Sequence, residues 1–269
     1  MAWSDALGRT LVIERPPRRI VSLVPSITET LFAFGLGASV AGVTKFCVEP
    51  AGGVAHKPKV GGTKDVDVPA VIALKPDLVI ANVEENEKPD VDALIGAGLT
   101  VFVTYPRTVA TATAMIRTIA EITDTTAVAA PLVAQIEAQA ALARARDRGE
   151  PPIRAFCPIW RKPWMTIGPD TYIHDFLEVC GVENVYADSR ERYPTIELAD
   201  VAARRPDVVI LPNEPYRFSR RQVAEVAAAI PGVSESRIYL VDGKDICWYG
   251  PRIAGAVQRL RHVLAGETL

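Results

Sequence analysis

The chain has 269 residues, with 30 Lys and Arg against 32 Asp and Glu, and 49% of its residues are hydrophobic. A net charge near zero excludes the strongly basic surface of a nucleic-acid-binding protein and gives no sign of a basic membrane-binding patch. The length suffices for one large domain or for two lobes of about 120 residues each, and either would bury a sizeable core.

Cysteine and histidine usage narrows the kinds of site that the chain can form. The four cysteines are scattered without a Cys-x-x-Cys pair, which predicts free, buried thiols in a reducing compartment: Cys47, Cys157, Cys180 and Cys247. Histidine occurs three times, too rarely for a metal site made of several imidazoles: His56, His174 and His262.

The first nine residues contain no apolar stretch of signal-peptide length, and no later apolar run reaches the roughly 18 residues of a membrane-spanning helix. The sequence as written therefore predicts a cytoplasmic protein. A periplasmic or extracellular protein is the alternative, if a leader peptide is removed upstream of Met1.

Short apolar runs alternate with helical patterns in the first half of the chain. We predict strands at 11–15, 19–24, 38–44, 78–81 and 100–104. A helix capped by Ser26 or Thr28 is predicted to run to Gly35 or Gly37, and further helices cover 68–74 and the residues up to Ala97.

A helical tract, 108–148, separates the two halves. Its second part, from Thr125 to Arg148, is rich in alanine and predicts a long connecting helix, with an apolar stripe at Val128, Leu132 and Ile136. Because a proline past the first turn removes a hydrogen bond, Pro131 predicts that this helix begins near Val128 or bends there. The alternative is an ordinary two-helix hairpin inside one domain.

The second half repeats the order of elements in the first. Strands are predicted at 154–158, from Val185, and at 207–211, and helices at 172–180 and 198–203. Residues 75–81 parallel residues 205–211 at an offset of 130, and residues 31–40 parallel 176–185 at an offset of 145. The difference of 15 falls in the loop 45–63. Such a duplication predicts an α/β fold of two Rossmann-like lobes with parallel sheets.

The predicted lobes cover 1–107 and 151–269, with a helix pair over 108–150 that includes the bridging helix. In parallel α/β sheets, ligands bind beyond the carboxyl ends of the strands. We therefore expect a ligand cleft between the lobes.

Four segments, taken in order, resemble the helical-backbone (class III) substrate-binding proteins of vitamin B12 and ferric-siderophore transport: Arg18–Glu29, Ile72–Ile80, Leu177–Val185 and Trp248–Arg252. The resemblance implies two lobes joined by one long helix. It also implies non-enzymatic binding of a metal chelate or corrinoid-type ligand, such as a cobalamin-, siderophore- or heme-like molecule, without a covalent cofactor. The protein would then be the substrate-binding component of an ABC importer or a cytosolic relative of such a component.

The chain departs from the vitamin B12 receptor at two sets of positions. Where that receptor lines its cleft with aromatic residues, this chain has Thr63, Asn82 and Tyr193, which puts cobalamin itself in question. Where the family offers glutamates to the membrane permease, this chain has Pro69 and Ala199. This argues against docking to an ABC permease, although other carboxylates lie near these positions: Asp67, Glu197 and Asp200.

Candidate ligand-binding residues follow the predicted strands and are more charged than an apolar macrocycle requires. The first lobe offers Ser26, Lys45, Phe46, Lys64, Asn82, Glu84, Glu85, Tyr105 and Arg107. The second lobe offers Trp160, Arg161, Lys162, Trp164, Tyr193, Asn213, Glu214, Tyr216, Arg217 and Trp248.

The stretch 158–164 combines two indoles with two cations directly after a strand, which suits a conjugated or chelated anion. Alternatively, its tryptophans attach a surface loop to the core. Glu84 and Glu85 are likewise either ligand-binding residues or only the charged first turn of the next helix, which the helix dipole favours.

Sequence motifs of common enzymes are absent: there is no Gly-x-Ser-x-Gly elbow, phosphate loop or His-Glu-x-x-His. We therefore expect a monomeric, non-enzymatic protein whose partner is a small-molecule ligand. A cytosolic enzyme or ligand sensor that uses cleft carboxylates is the alternative.

Overall fold

The computed structural model describes residues 1–146 and 151–266, the side chain of Arg146 excepted. The chain forms two compact α/β units. Unit 1 comprises Met1–Pro106, Ala112–Ala134 and Tyr249–Pro251; unit 2 comprises Arg107–Thr111, Gln135–Trp248 and Arg252–Leu269. Two lobes with parallel sheets are the fold class that the sequence predicts, whereas the boundaries at 107 and 151 stay a prediction.

Unit 1 contains a hairpin, a parallel sheet and its helices. The elements are β1 (Ala2–Ser4), β2 (Thr10–Val12), β3 (Ile20–Ser22), α1 (Pro25–Ala33), β4 (Val40–Val43), α2 (Ala51–Val54), α3 (Val68–Ala73), β5 (Leu78–Asn82), α4 (Lys88–Gly96) and β6 (Val101–Thr104). The parallel strands lie in the order β4-β3-β5-β6, and β1 pairs antiparallel with β2.

Two helices, α5 (Val109–Ile122) and α6 (Thr126–Arg146), precede the strands of unit 2. That unit contains β7 (Ile153–Phe156), β8 (Pro158–Trp160), β9 (Trp164–Thr166), α7 (Tyr172–Val179), β10 (Val182–Asn184), β11 (Thr195–Ile196), α8 (Leu198–Ala203), β12 (Val208–Pro212), α9 (Arg220–Ala229), β13 (Ile238–Val241), α10 (Gly243–Cys247) and α11 (Ile253–Leu264). The parallel strands lie in the order β10-β7-β12-β13, which matches unit 1 strand for strand.

The same backbone anchor fixes the first strand of both sheets. In unit 1, the backbone N–H groups of Arg18 and Arg19 donate to the Asp77 carboxylate at 2.8 and 2.9 Å. In unit 2, the N–H of Arg154 donates to Asp207 at 2.8 Å. Because Asp77 and Asp207 are repeat equivalents, this shared contact supports the predicted duplication.

Helix α1 begins earlier than the sequence predicts. Pro25 occupies the first turn, and Val24 is the N-cap without a side-chain hydrogen bond, so the predicted cap at Ser26 or Thr28 is wrong. Proline suits this position because its ring presets a helical φ and the missing N–H has no helical acceptor there. Thr28 Oγ1 instead lies 3.1 Å from Val24 O, within the first turn.

Helix α6 begins at Thr126, two residues before the predicted start near Val128, and continues through Pro131. Its 21 residues span about 31 Å, and the boundary between the units falls between Ala134 and Gln135. Of the predicted stripe, Ile136 is buried as expected, Leu132 is half-buried and Val128 is 51% exposed. The buried face consists mostly of alanine, which a search for large apolar residues overlooks: Ala129, Val133, Ile136, Ala140 and Ala143. Arg148 lies outside the described residues.

Contrary to expectation, the segment Thr126–Ala145 of α6 is long and apolar enough to cross a membrane, with a mean hydropathy of 1.2. Length and composition are the whole of that evidence, and 28% of the window is buried within the protein. Since residues of α6 belong to both units, we assign the helix to the fold.

Two features of unit 2 differ from the prediction. The strand predicted to start at Val185 ends at Asn184, because Asn184 Oδ1 accepts the N–H of Tyr186 at 3.0 Å and turns the chain. The predicted strand 154–158 stops at Phe156, and β8 and β9 form a hairpin that joins β11 in a three-stranded antiparallel sheet. The four cysteines are free thiols, as predicted; Cys47, Cys157 and Cys180 are also buried as expected, whereas Cys247 is half-buried.

Candidate functional site

Asn82 organises the loop that follows β5 in unit 1. Its buried side chain accepts the N–H groups of Glu84 and Glu85 at 2.8 and 3.2 Å, and its Nδ2 donates to Thr104 Oγ1 at 3.2 Å. Thr104 Oγ1 in turn donates to Ala81 O at 2.9 Å. The predicted ligand residue Asn82 thus serves the backbone of this loop, and the half-buried Glu84 and Glu85 are held at the end of the strand.

Asn86 ties the same loop to two neighbours. Its Nδ2 donates to Leu23 O at 3.2 Å and to Thr63 O at 3.0 Å, while its Oδ1 accepts the N–H of Asn82 at 2.9 Å. Sequence reasoning did not single out Asn86. Its offset of four residues from Asn82, just after a buried strand, is the only signal that the sequence carries.

The predicted cations of unit 1 are paired with nearby oxygens. Lys45 Nζ lies 2.9 Å from Asp65, and it also lies 5.3 Å from the centroid of the Phe46 ring. Lys64 Nζ donates to Glu84 O at 2.8 Å and lies 3.1 Å from Glu87. Both lysines therefore join loops at the carboxyl edge of the sheet.

Exposed apolar side chains lie in the loops after β4 and β5. Phe46 is 51% exposed, Val48 47% and Val83 39%. Sequence reasoning missed Val48 and Val83, because single valines among charged residues give no periodic signal. Such an exposed apolar edge is typical of a ligand-contacting surface.

Ser26 and Cys47 are buried at the same end of the unit 1 sheet. Ser26 Oγ has no hydrogen-bond partner among the described residues. Cys47 Sγ accepts from Thr28 Oγ1 at 3.1 Å and lies 3.2 Å from Thr44 Oγ1. Burial raises the pKa of the Cys47 thiol, and the hydrogen bonds from the two threonines oppose this. The thiol therefore has a structural role. Tyr105, which follows β6, is half-buried.

Four aromatic residues form a continuous cluster in unit 2. Trp160 is 43% exposed and contacts Tyr216 edge-on, with ring centroids 5.7 Å apart. Tyr216 packs on Phe218 at 4.7 Å, and Trp164 stacks on Phe218 at 5.8 Å with an interplanar angle of 13°. The two tryptophans therefore differ: Trp160 presents its ring to solvent, while Trp164 attaches the β8–β9 hairpin to the core.

The predicted cations of unit 2 are also largely committed. Arg161 contacts both carboxylate oxygens of Glu225 at 3.0–3.3 Å, and this pairing raises the pKa of Arg161. Arg107 contacts Asp170 at 2.6 Å. Arg217 is exposed, and Tyr193, 36% exposed, lies 5.4 Å from the Arg192 guanidinium.

Trp248 is the least exposed of the aromatic residues that were predicted to contact the ligand. It is 7% exposed, and the centroid of its ring lies 5.7 Å from Lys244 Nζ and 5.0 Å from the Arg252 guanidinium. Its indole N–H donates to the carboxylate of Glu214. Glu214 therefore lies beside Trp248, two residues after the end of β12.

Bare metal binding has little support in the described ranges 1–146 and 151–266, where no three His, Cys, Asp or Glu side chains are grouped to hold an ion. Glu84, Glu85 and Glu214, which could have provided carboxylate ligands, belong to no such group. His174 caps no helix through its ring; its side chain lies 3.4 Å from Glu178 and from Asn184 Nδ2.

The architecture and sequence are similar to those of known binding proteins. The vitamin B12-binding protein of Yersinia pestis (strain Pestoides F) is 27% identical over 253 residues, which cover 92% of this chain and 86% of that protein. The crystal structure of the periplasmic vitamin B12 binding protein of Vibrio cholerae has a TM-score of 0.80 at 22% identity, covering 93% of this chain and 97% of that chain.

A periplasmic heme-binding protein from Roseiflexus sp. RS-1, in apo form, has a TM-score of 0.79 at 24% identity, covering 93% and 98% of the two chains. These likenesses show that the fold is shared. The sequence profile described as periplasmic binding protein matches residues 20–243, most of the chain. The chain therefore belongs to the periplasmic binding protein family, and its fold is that of the helical-backbone (class III) substrate-binding proteins.

Proposed function

We propose that this protein binds a metal chelate of the corrinoid, heme or siderophore type without changing it chemically. The observation that carries the proposal is the exposed ring of Trp160, held edge-on by Tyr216 at 5.7 Å. A rigid, exposed indole buries a flat ligand surface at little cost in conformational entropy. Relatives named for vitamin B12 binding, and structural neighbours named for vitamin B12 and heme, support this ligand class.

The unit 1 sheet supplies a second apolar surface. Phe46, Val48 and Val83 are exposed in loops at the carboxyl edge, where parallel α/β sheets bind ligands. The loop with Val83 is fixed by Asn82 and Asn86, so its contacts are formed before the ligand arrives. Preorganisation of this kind favours affinity because less order is lost on binding.

Titration of the purified protein with cyanocobalamin, hemin and ferrichrome tests the proposal. We expect one of the three probes to quench tryptophan fluorescence saturably, and Trp160→Ala to weaken its binding about tenfold or more. Trp3→Ala is the matched control, since Trp3 lies in the β1–β2 hairpin, outside the loops that follow the parallel strands. Equal affinity in the Trp160→Ala variant would contradict the proposal. Turnover of a bound probe that disappears in Glu84→Gln or Glu214→Gln would favour the enzyme alternative.

We also propose that the protein delivers its ligand to an ABC permease through Asp67 and Glu197. These exposed carboxylates are repeat equivalents, and they occupy the N-cap positions of the equivalent helices α3 and α8. They lie two residues before Pro69 and Ala199, the positions that align with the docking glutamates of the family. One carboxylate at the same place in each unit is the pattern that the resemblance leads us to expect.

Charge reversal tests this docking role. The double variant Asp67→Lys, Glu197→Lys should abolish uptake of the ligand by the native host and leave the dissociation constant of the purified protein unchanged. Glu121→Lys, on the exposed face of α5, is the control. Undiminished uptake in the double variant would exclude these two carboxylates as the docking pair. The localisation of the protein stays a prediction, which fractionation of the native host checks.

A further inference from the structure

Glu214 is held rigidly at the carboxyl end of β12. Its side chain packs across Gly243: a Cβ at position 243 would overlap Glu214 Cγ and lie 2.7 Å from the backbone N and O of Glu214. The N–H of Gly243 donates to Asn213 Oδ1 at 2.7 Å, which fixes the start of α10 against the same loop. Cys247 Sγ lies 3.7 Å from Glu214 O. Position 243 therefore requires glycine because Glu214 occupies the space of a side chain.

One oxygen of this rigid carboxylate lacks a donor. The indole N–H of Trp248 donates to the carboxylate, but Oε1 is buried and has no hydrogen-bond partner among the described residues. Buried acceptors are nearly always satisfied, because an unpaired one is costly. Parallel α/β sheets bind ligands beyond the carboxyl ends of their strands, so a ligand donor is one group that could complete this hydrogen bond.

The surrounding charges define which ligand group fits. Burial, and the carboxylate of Asp242, raise the pKa of Glu214; Lys244, the Trp248 indole and Arg252 oppose the shift. The two cations lie beside the Trp248 ring, at 5.7 and 5.0 Å from its centroid. A ligand carboxylate next to Oε1 would be repelled by Glu214 and Asp242, whereas an N–H donor would be attracted.

Three of the four cations that were expected to orient an anionic ligand are engaged by carboxylates, and the fourth, Arg217, is exposed. Arg161 is engaged by Glu225, Arg107 by Asp170, and in unit 1 Lys45 by Asp65. Each pair neutralises its cation within its own unit. At the carboxyl end of β12, Glu214 Oε1 is a buried acceptor without a hydrogen-bond partner among the described residues, and what it requires is a donor.

We propose that Glu214 is a specificity-determining acceptor subsite, which takes an amide or ammonium N–H from the periphery of the bound chelate and disfavours a carboxylate there. The inference rests on the proposed function and deepens it by naming the peripheral chemistry of the ligand. A chelate with amide side chains satisfies Oε1, and a chelate whose edge carries carboxylates leaves it unpaired and adds repulsion.

Two probes of opposite periphery test the subsite: dicyanocobinamide, which carries amides, and hemin, which carries two carboxylates. We expect the wild type to prefer dicyanocobinamide. Glu214→Gln replaces a carboxylate oxygen with an N–H₂ donor. This variant should bind dicyanocobinamide about tenfold more weakly than the wild type and bind hemin with equal or higher affinity. Gly243→Ala displaces Glu214 without changing its chemistry, and it should weaken the binding of dicyanocobinamide in the same way. Glu235→Gln, an exposed glutamate of the same unit, is the matched control.

Thermal melting of each variant identifies any loss of folding. The inference is overturned if Glu214→Gln binds dicyanocobinamide as tightly as the wild type, or if it weakens both probes equally. It is also overturned if the folded wild type prefers hemin or binds only ferrichrome, outcomes that leave the proposed chelate-binding function intact. Failure of the wild type to bind either probe or ferrichrome would overturn the proposed function together with this inference.

Discussion

Lys75 and Arg205 have the same left-handed backbone conformation, with φ of 48° and 50°. They stand 130 residues apart, and each precedes a Pro-Asp pair at the start of a buried strand. Non-glycine residues adopt this conformation at a cost, and the following proline disfavours the usual helical alternative. Both units keep the same costly turn because it places Asp77 and Asp207 against the first strand of each sheet, which is the mark of a duplicated α/β unit.

The two aspartates should stabilise their units unequally. Asp77 accepts two backbone N–H groups and Asp207 accepts one. At about 1 kcal/mol for each hydrogen bond, Asp77→Ala should lower the free energy of unfolding more than Asp207→Ala does. Urea denaturation measures both losses. Asp77→Asn, which keeps one acceptor oxygen, should lose less, and an equal loss in all three variants would contradict this account.

Truncation of the two tryptophans that flank the β8–β9 turn should affect the stability of the protein to different extents. Trp164 stacks on the buried Phe218, so Trp164→Ala should lower the free energy of unfolding by about 2–3 kcal/mol. Trp160 is 43% exposed, and its removal should change stability little. Chemical denaturation followed by circular dichroism separates the two, and a larger loss for Trp160→Ala would show that the roles are reversed.

Much of the fold could be predicted because the strands carry unbroken apolar runs and the repeat places them twice. The strand 78–81 and the helix 198–203 are found within one residue of their predicted ends. Boundaries fail where a single side chain decides them. Pro25 starts α1 without a side-chain cap, and Asn184 ends β10 through its own side chain.

The candidate site was less predictable, because a sequence shows residue types but not their partners. Arg161 was expected to reach a ligand anion, yet it contacts Glu225, 64 positions away. Trp164 and Trp160 are alike in sequence context, and only the position of Phe218 distinguishes their roles. The assignment of these residues to ligand binding stays a prediction.

Replacing Pro131 should stabilise α6. The proline lies inside the helix and cannot donate to the carbonyl of Ala127, four residues earlier. Because Pro131 is exposed, Pro131→Ala loses little packing, and we expect the free energy of unfolding to rise by about 1–2 kcal/mol. Ala138→Pro, at another exposed position of the helix, should lower it by about 3 kcal/mol. An unchanged urea midpoint for Pro131→Ala would mean that the missing hydrogen bond to the Ala127 carbonyl does not lower the free energy of unfolding.

The last prediction concerns Glu214 and pH. Burial, and the nearby Asp242, raise the pKa of its carboxyl in the folded protein, although Lys244 and Arg252 oppose the shift. The folded state therefore holds this proton more tightly than the unfolded state does. As the pH rises from the ordinary glutamate value of about 4.3 through the raised folded pKa, the wild type should lose stability.

Glu214→Gln should remove that loss, because a neutral amide keeps an acceptor oxygen for the Trp248 indole and has no charge to desolvate. The variant should melt at a higher temperature than the wild type at about pH 8, and the difference should shrink towards zero near pH ~4, where the wild-type carboxyl is protonated. Paired thermal melts across this range measure the effect. Glu235→Gln, on an exposed glutamate, should show no such trend. The penalty for burying the ionised Glu214 carboxylate must vanish once that carboxyl is protonated. A difference in melting temperature that does not change with pH would therefore mean that ionisation of Glu214 does not destabilise the folded protein.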